Sequence, residues 1–169
     1  SIYVAFPIEN GSEKLKSAMG SLPASFVVWT TTPWTLPSNV AVAAHPSLTY
    51  CLIKQNDHLY VLAQALQEKV CAKLGWTEAQ IITTFLGSDL INSQLKHPIF
   101  DRLSPVISAQ FVTEEDGTGF VHIAPGHGQD DYQVGQAHQL PVIMPVDDEG
   151  RFNSEVGIPE WENQPPWRP

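Results

Sequence analysis

The residues of this chain that can do chemistry fall in two stretches. The first is Trp29-Thr30-Thr31-Thr32-Pro33-Trp34-Thr35-Leu36-Pro37-Ser38-Asn39. Three consecutive threonines offer hydroxyls and backbone amides in one short run; the indoles of Trp29 and Trp34 flank it, and Trp34, between the two prolines, offers a rigid apolar wall beside hydrogen-bond donors. Such a loop suits a small polar ligand. A Thr-rich edge strand entering a Pro-rich turn accounts for the same residues without any ligand. The second stretch, Gly117 to Tyr132, reads GTGFVHIAPGHGQDDY. On a strand His122 points away from Val121 and Ile123, so burial of those two turns the imidazole to the opposite face. Gly126 and Gly128 allow close backbone approach, and Asp130 and Asp131 open the next helix.

Several chemistries are disfavoured by spacing. His122, His127, Asp130 and Asp131 are metal ligands by type, but the five-residue step between the histidines matches neither a helical HExxH pair nor a zinc ribbon, so no metal is expected. No GxSxG elbow occurs, and neither Cys51 nor Cys71 lies near a histidine in a nucleophile pattern, so both thiols read as structural. An aspartate in a first helical turn also serves simply to balance free amides and the helix dipole, which explains one of Asp130 and Asp131 but not the whole constellation. His127 reads as a turn histidine. His45, His58, His97 and His138 have no motif around them.

The elements that must position these stretches are mostly strands. Residues 1–8, 25–32, 40–44, 80–86, 105–112, 119–124 and 141–146 carry strand-like patterns, and residues 50–54 and 58–62 flank Gln55-Asn56-Asp57 as a hairpin. Pro33 and Pro37 are expected to hold the threonine run as a loop, neither helix nor central strand. Helices are expected over 13–20, over 63–74 with a stripe at Leu62, Leu66, Val70 and Leu74 ending at Gly75, and over 129–140. The expected fold is therefore mixed and β-rich, a closed or half-closed β-barrel core with a few peripheral α-helices. The whole chain, 1–169, reads as one domain cut from a larger protein.

With 169 residues and 43% apolar composition the chain can build one core. No apolar run is long enough to span a membrane. Two unpatterned cysteines point to a reducing compartment, hence a cytoplasmic parent, with an organellar one left open. A formal charge of -9 argues against broad binding to a phosphate backbone; any nucleic-acid contact falls on a short segment.

Taken together, WTTTPWTLPSN and, about ninety residues on, GTGFVHIAPGHGQDDY resemble the inserted editing domains of class I aminoacyl-tRNA synthetases for branched aliphatic amino acids. The isoleucine members are the most similar, since valine and leucine enzymes typically carry TTRP in place of TTTPWTLP. The resemblance covers residues 25–150, and the family's activation signatures HIGH and KMSKS are absent. It implies a cofactor-independent hydrolase acting on valine esterified to isoleucine tRNA, with a pocket that excludes isoleucine by size. The implied partners are the 3′ aminoacyl-adenosine end of tRNA, the valine moiety and the remainder of a synthetase. It also implies roles: Thr30, Thr31 and Thr32 hold the terminal adenosine and ester; Trp34, Thr35 and His122 wall the side-chain pocket; Asn39 lies near the site; and Asp131 pairs with the α-ammonium. Thr31, Thr32 and Asp131 then stand as the catalytic set, and Thr30, Trp34, Thr35, Asn39 and His122 as the binding set. A module that binds aminoacyl-adenosine without cleaving it, or an editing domain of the valine or leucine type, are the competing readings.

Overall fold

The structure is a computed structural model that describes residues 1–167; Arg168 and Pro169, the last of the Pro-rich exit, lie outside the described residues. The strands are β1 (Ile2–Asn10), β2 (Ala24–Thr30), β3 (Ala41–Ala44), β4 (Thr49–Gln55), β5 (His58–Ala63), β6 (Gln80–Leu86), β7 (Gln94–Lys96), β8 (Leu103–Ser108) and β9 (Phe120–Ile123). Three α-helices accompany them: α1 (Glu13–Met19), α2 (Gln67–Leu74) and α3 (Gln129–Ala137).

Local chemistry accounts for most boundaries. Ser12 caps α1 by accepting from Leu15 N at 3.4 Å, and α2 stops at Gly75, whose left-handed φ of 69° lets the chain leave the helix. Asn56 supplies the positive φ, 55°, that the β4–β5 hairpin needs. Two expectations were off. The segment 141–146 is not a strand: prolines at 141 and 145 remove two of its amide donors, and only an isolated bridge joins Val146 to Phe152. The helix expected from residue 63 opens instead as a 3₁₀ turn, Gln64–Leu66, before α2.

The barrel is overturned as well. The strands form one open nine-stranded mixed sheet in the order β6-β4-β5-β2-β1-β7-β8-β3-β9, with β2/β5 and β3/β8 parallel and the other pairs antiparallel. Closure would need the edge strands β6 and β9 to share a ladder, and none joins them among the described residues. Strand count and short turns are the same for an open and a closed sheet, which is why they misled. The sheet curls instead through side chains: Phe120 of β9 stacks on Phe26 of β2 with centroids 4.5 Å apart and on Tyr50 of β4 at 4.6 Å.

The curl makes the main core. Phe6, Phe26, Tyr50, Leu52, Leu62 and Leu95 lose all solvent contact there. Strand β3 is buried on both faces, Val42 and Ala44 in that core and Ala41 and Ala43 in a second cluster with Ile107 and Ile123. Leu140 and Val134 of the α3 region cover this second cluster. No described helix is long and apolar enough to cross a membrane.

The Gly117-Thr118-Gly119 approach to β9 is pinned against β4 and β5. Ala63 N donates to Thr118 O at 2.8 Å and the Tyr50 hydroxyl donates to Gly119 O at 2.6 Å. Gly119 has φ 80°, and a Cβ there would sit 2.4 Å from the Ala63 Cβ. Gly119→Ala is therefore expected to cost about 2–5 kcal/mol, the sum of left-handed strain and overpacking. Gly157→Ala, with φ 69° but open space around it, is expected to cost only about 1–2 kcal/mol. Urea unfolding of the two variants measures the difference, and equal losses would refute the close-packing account.

Candidate functional site

The threonine run begins where β2 ends. Thr32 N donates to Thr30 Oγ1 at 3.1 Å, which turns the chain out of the sheet. Pro33–Ser38 then form a 3₁₀ helix, not the open loop expected from two prolines. Pro33 takes the first helical position, where no amide is needed and its fixed φ is already helical. Pro37 is tolerated because so short a helix has few internal bonds for it to remove.

The far end of this helix is held by groups more than sixty residues away. His97 Nε2–H donates to Leu36 O at 2.8 Å, while its Nδ1 accepts from Ile99 N and Phe100 N at 3.0 and 3.1 Å. The Arg102 guanidinium donates to Pro37 O, and to Asn39 O at 3.0 Å. A cation and a donor on the last carbonyls are what a helix C-terminus favours. Thus His97, which no motif singled out, turns out to brace the candidate site from the β7–β8 connection.

Asn39 lies behind the site rather than in it. Its Nδ2 donates to Ala41 O at 2.9 Å and to His122 Nδ1 at 3.3 Å, and its Oδ1 accepts from Ser104 Oγ at 2.6 Å. The carbonyl partner fixes the amide orientation, so His122 Nδ1 must accept. Its Nε2–H is then donated to Thr35 Oγ1 at 2.9 Å, and Thr35 passes its own proton to Thr32 O, also at 2.9 Å. Both ring nitrogens are used and the ring is buried, which pushes the His122 pKa down to about 4, with the positive charges of His127 and His97 acting the same way. His122 stands opposite Val42 in the β9–β3 ladder and faces away from Ile123, the alternation expected from sequence.

Helix α3 starts at Gly128, and both Asp130 and Asp131 lie in its first turn. Asp131 does not act as a plain cap: its Oδ2 accepts from Ala124 N at 2.8 Å, so the carboxylate ties α3 back to the end of β9. Burial raises its pKa, helped by Asp130 and opposed by the Ala124 amide and His127. Asp130 is exposed.

These elements enclose one cleft of about 470 Å³ whose lining includes Thr30, Thr31, Thr32, Thr35, His122 and Asp131. Trp34 is not among them. It is turned to a separate apolar groove of about 400 Å³, with Ile99, Phe152 and Trp161. The cleft is also lined by Trp29, Phe111, Thr113, Asp116 and His127, which sequence reasoning did not select. His127 lay within the second motif and was readable there; Phe111 lies in the stretch 105–112 expected as strand, which ends at Ser108 instead, and neither it nor Thr113 belongs to a motif. His127 Nε2 is 2.8 Å from Ser38 Oγ, a bond that links the two motifs directly. Asp116 is ion-paired with Lys69 at 2.7 Å across exposed surface.

The arrangement presents hydroxyl and amide donors on one wall and a half-buried carboxylate with one oxygen committed on the other. A cation beside Asp131 and an ester or ribose beside the threonines fit those walls. Among the described residues, no three His, Cys, Asp or Glu side chains gather as a metal site. Both cysteines are buried, and Cys51 lies in the main core with its pKa pushed up to about 12 by burial, so it supplies no thiolate at the cleft.

With this geometry in view, the class is clear: residues 4–159 match the family model described as "Leucyl-tRNA synthetase, editing domain", and the chain belongs to that family of synthetase editing domains. Solved relatives share the fold at low identity. The structure of GlLeuRS-CP1 superposes with a TM-score of 0.70 at 18% identity over 80% of this chain and 59% of that one. The P. knowlesi cytosolic leucyl-tRNA synthetase editing domain does so with a TM-score of 0.63 at 12% identity over 80% and 63%. Sequence likeness is far higher to isoleucine–tRNA ligases: 48% identity over 159 residues to the Staphylococcus epidermidis enzyme, and 47% over 150 residues to that of Fervidobacterium pennivorans. Within its class the domain is of the isoleucyl type. It covers 93% of itself but only 17% of the Staphylococcus enzyme, so it spans about a sixth of such a ligase.

The two buried imidazoles make the fold acid-sensitive. His97 and His122 ordinarily bind a proton near 6.5, but in the folded chain each does so only near 4, chiefly through burial. The unfolded chain therefore takes up protons first, and stability is level above pH 6.5 and falls between pH 6.5 and 4. At 1.36 kcal/mol per pH unit the loss is on the order of 3 kcal/mol per imidazole. The raised carboxyl of Asp131 acts in the opposite sense at the acid end and offsets part of it. Urea midpoints across this window are expected to fall, and ¹⁵N spectra of His122 to show the neutral Nε2–H form. A flat stability profile, or a charged His122 at pH 6, would refute the buried neutral network.

Proposed function

We propose that this domain carries out post-transfer editing: it hydrolyses the ester of valine wrongly attached to isoleucine tRNA and rejects isoleucine by size. The observation that carries this is the meeting of Thr30, Thr31, Thr32, Thr35, His122 and Asp131, about ninety residues apart in sequence, around one cleft. In this reading Asp131 holds the α-ammonium through the carboxylate oxygen that Ala124 N leaves free. Hydroxyls and amides of Thr31 and Thr32 hold the ester and the developing oxyanion, and Thr30 supports them from the end of β2. Thr35 and His122 form the wall that a further methylene would strike. They suit that task because their mutual bond and the Asn39 brace keep them from giving way. Trp34, turned to the separate groove, takes no part in the pocket wall in this reading.

A second sieve is needed because one methylene in an apolar pocket is worth only about 1–3 kcal/mol, a magnitude long known for this very pair of amino acids rather than calculated for this chain. An aminoacyl ester is already reactive, so orientation and charge stabilisation suffice without a metal or cofactor. The domain charge of -9 leaves most tRNA attraction to the rest of a synthetase, with only the 3′ aminoacyl-adenosine entering here. We place the parent enzyme in the cytoplasm and treat residues 1–169 as one domain of it.

The test is deacylation of isoleucine tRNA carrying valine or isoleucine. The valyl ester is expected to be cleaved at least about tenfold faster; equal rates would remove the sieve, and a stable complex with uncleaved valyl-adenosine would make the domain a binding module. Asp131→Asn is expected to keep an acceptor for Ala124 N, and so the fold, while losing the valyl ester by more than tenfold in kcat/KM. Asp131→Ala is expected to lose activity and also about 1.5–3 kcal/mol of stability, since a charged acceptor is removed from that amide. Unchanged editing in Asp131→Asn would reduce the carboxylate to a structural staple.

A further inference from the structure

We propose that His127 is the proton acceptor for the hydrolytic water in the cleft, an inference that rests on the ester-hydrolase reading above. Beyond orientation and charge stabilisation, a group that takes a proton from water and returns it to the leaving ribose oxygen speeds ester hydrolysis further, and the other titratable groups at the cleft are committed. His122 uses both nitrogens in the buried chain from Asn39 to Thr35. Asp131 has one oxygen on Ala124 N, and its charge is required by the substrate ammonium. Asp116 is paired with Lys69.

His127 is differently placed. Its backbone is set by the turn bond from its own N to Ala124 O at 2.9 Å, and its ring is anchored through Nε2 to Ser38 Oγ at 2.8 Å. Ser38 is fully buried in the 3₁₀ helix that also carries Thr35, so the anchor is rigid. Yet the residue as a whole is exposed and lines the cleft, so water reaches it. In the proposed tautomer Nε2–H is donated to Ser38 Oγ, which leaves the Nδ1 lone pair for water; among the described residues nothing bonds to Nδ1.

The titratable groups that line the cleft with His127 are Asp131 from α3, His122 from β9 and Asp116 from the loop before it, and of these the carboxylate of Asp131 acts on the ring. Partial burial lowers the His127 pKa, and Asp131 opposes that, so the ring is a free base at neutral pH and still able to take a proton.

The step balances with water alone. A water O–H bond breaks, its proton goes to Nδ1, and its oxygen bonds to the ester carbonyl carbon as the carbonyl becomes an oxyanion beside the threonine donors. Collapse breaks the bond to the ribose oxygen, which takes the proton back from the imidazolium. Free valine and the deacylated adenosine end leave, and the acid proton goes to solvent.

The experiment compares this chain with its His127→Gln and His127→Ala variants on valyl-adenosine ester and on valyl-tRNA for isoleucine, from pH 5 to 8. Gln retains a group for Ser38 but does not titrate. A kcat lowered by about 100- to 10,000-fold is expected, with KM and the affinity for a non-hydrolysable valyl-adenosine amide unchanged. The wild-type fall of kcat toward acid pH is expected to vanish in both variants, and added imidazole to restore part of the rate in His127→Ala. Wild-type kcat in His127→Gln, or a kcat loss matched by lost amide binding, would overturn the proposal while leaving the hydrolase reading intact. A wild-type chain that binds the amide but cleaves neither ester would overturn both.

Discussion

A run of hydrogen bonds with a single direction governs the cleft: Asn39 donates to His122, His122 to Thr35, and Thr35 to the carbonyl of Thr32. Each member is fixed by the one before it, because a carbonyl partner settles the Asn39 amide and the amide then settles the tautomer. The chain is buried, so a broken link would leave an unsatisfied polar group at a cost of about 1–3 kcal/mol. That makes the wall formed by Thr35 and His122 stiff. A stiff wall is what allows a small difference in ligand volume to be felt, since a soft one would move aside.

Stiffness at the cleft is maintained from outside it. A six-residue 3₁₀ helix interrupted by proline has little stability of its own, and its last carbonyls lack internal partners. His97 and Arg102, from the segment around β7 and β8, satisfy those carbonyls and fix where the helix ends. On the other side Ser38 meets His127 and Asp131 meets Ala124, so the threonine segment, β9 and α3 are joined by side chains as well as by the sheet. The glycine-rich approach to β9 packs on Ala63 and Tyr50, which leaves no room for a Cβ at Gly119.

The acidic chain and the polar cleft divide the work of recognition. Among groups at the cleft, the carboxylates favour a cation and offer nothing to a phosphate, while the threonines and amides suit a ribose and an ester. The chain itself covers only about a sixth of the ligases it resembles.

The sequence by itself determined the hairpin at Asn56, the end of α2 at Gly75 and the facing of His122, because each follows from side-chain type and local backbone preference. It also carried the family, since two motifs in fixed order are a local property of the string. What only the tertiary structure decided was which strands are neighbours, and with it the open sheet in place of a barrel, because pairing between distant strands leaves no local trace. The same holds for the outward turn of Trp34, the bracing by His97 and Arg102 and the bond from Ser38 to His127. These rest on contacts between residues some sixty to one hundred and thirty positions apart, which exist only once the chain has folded.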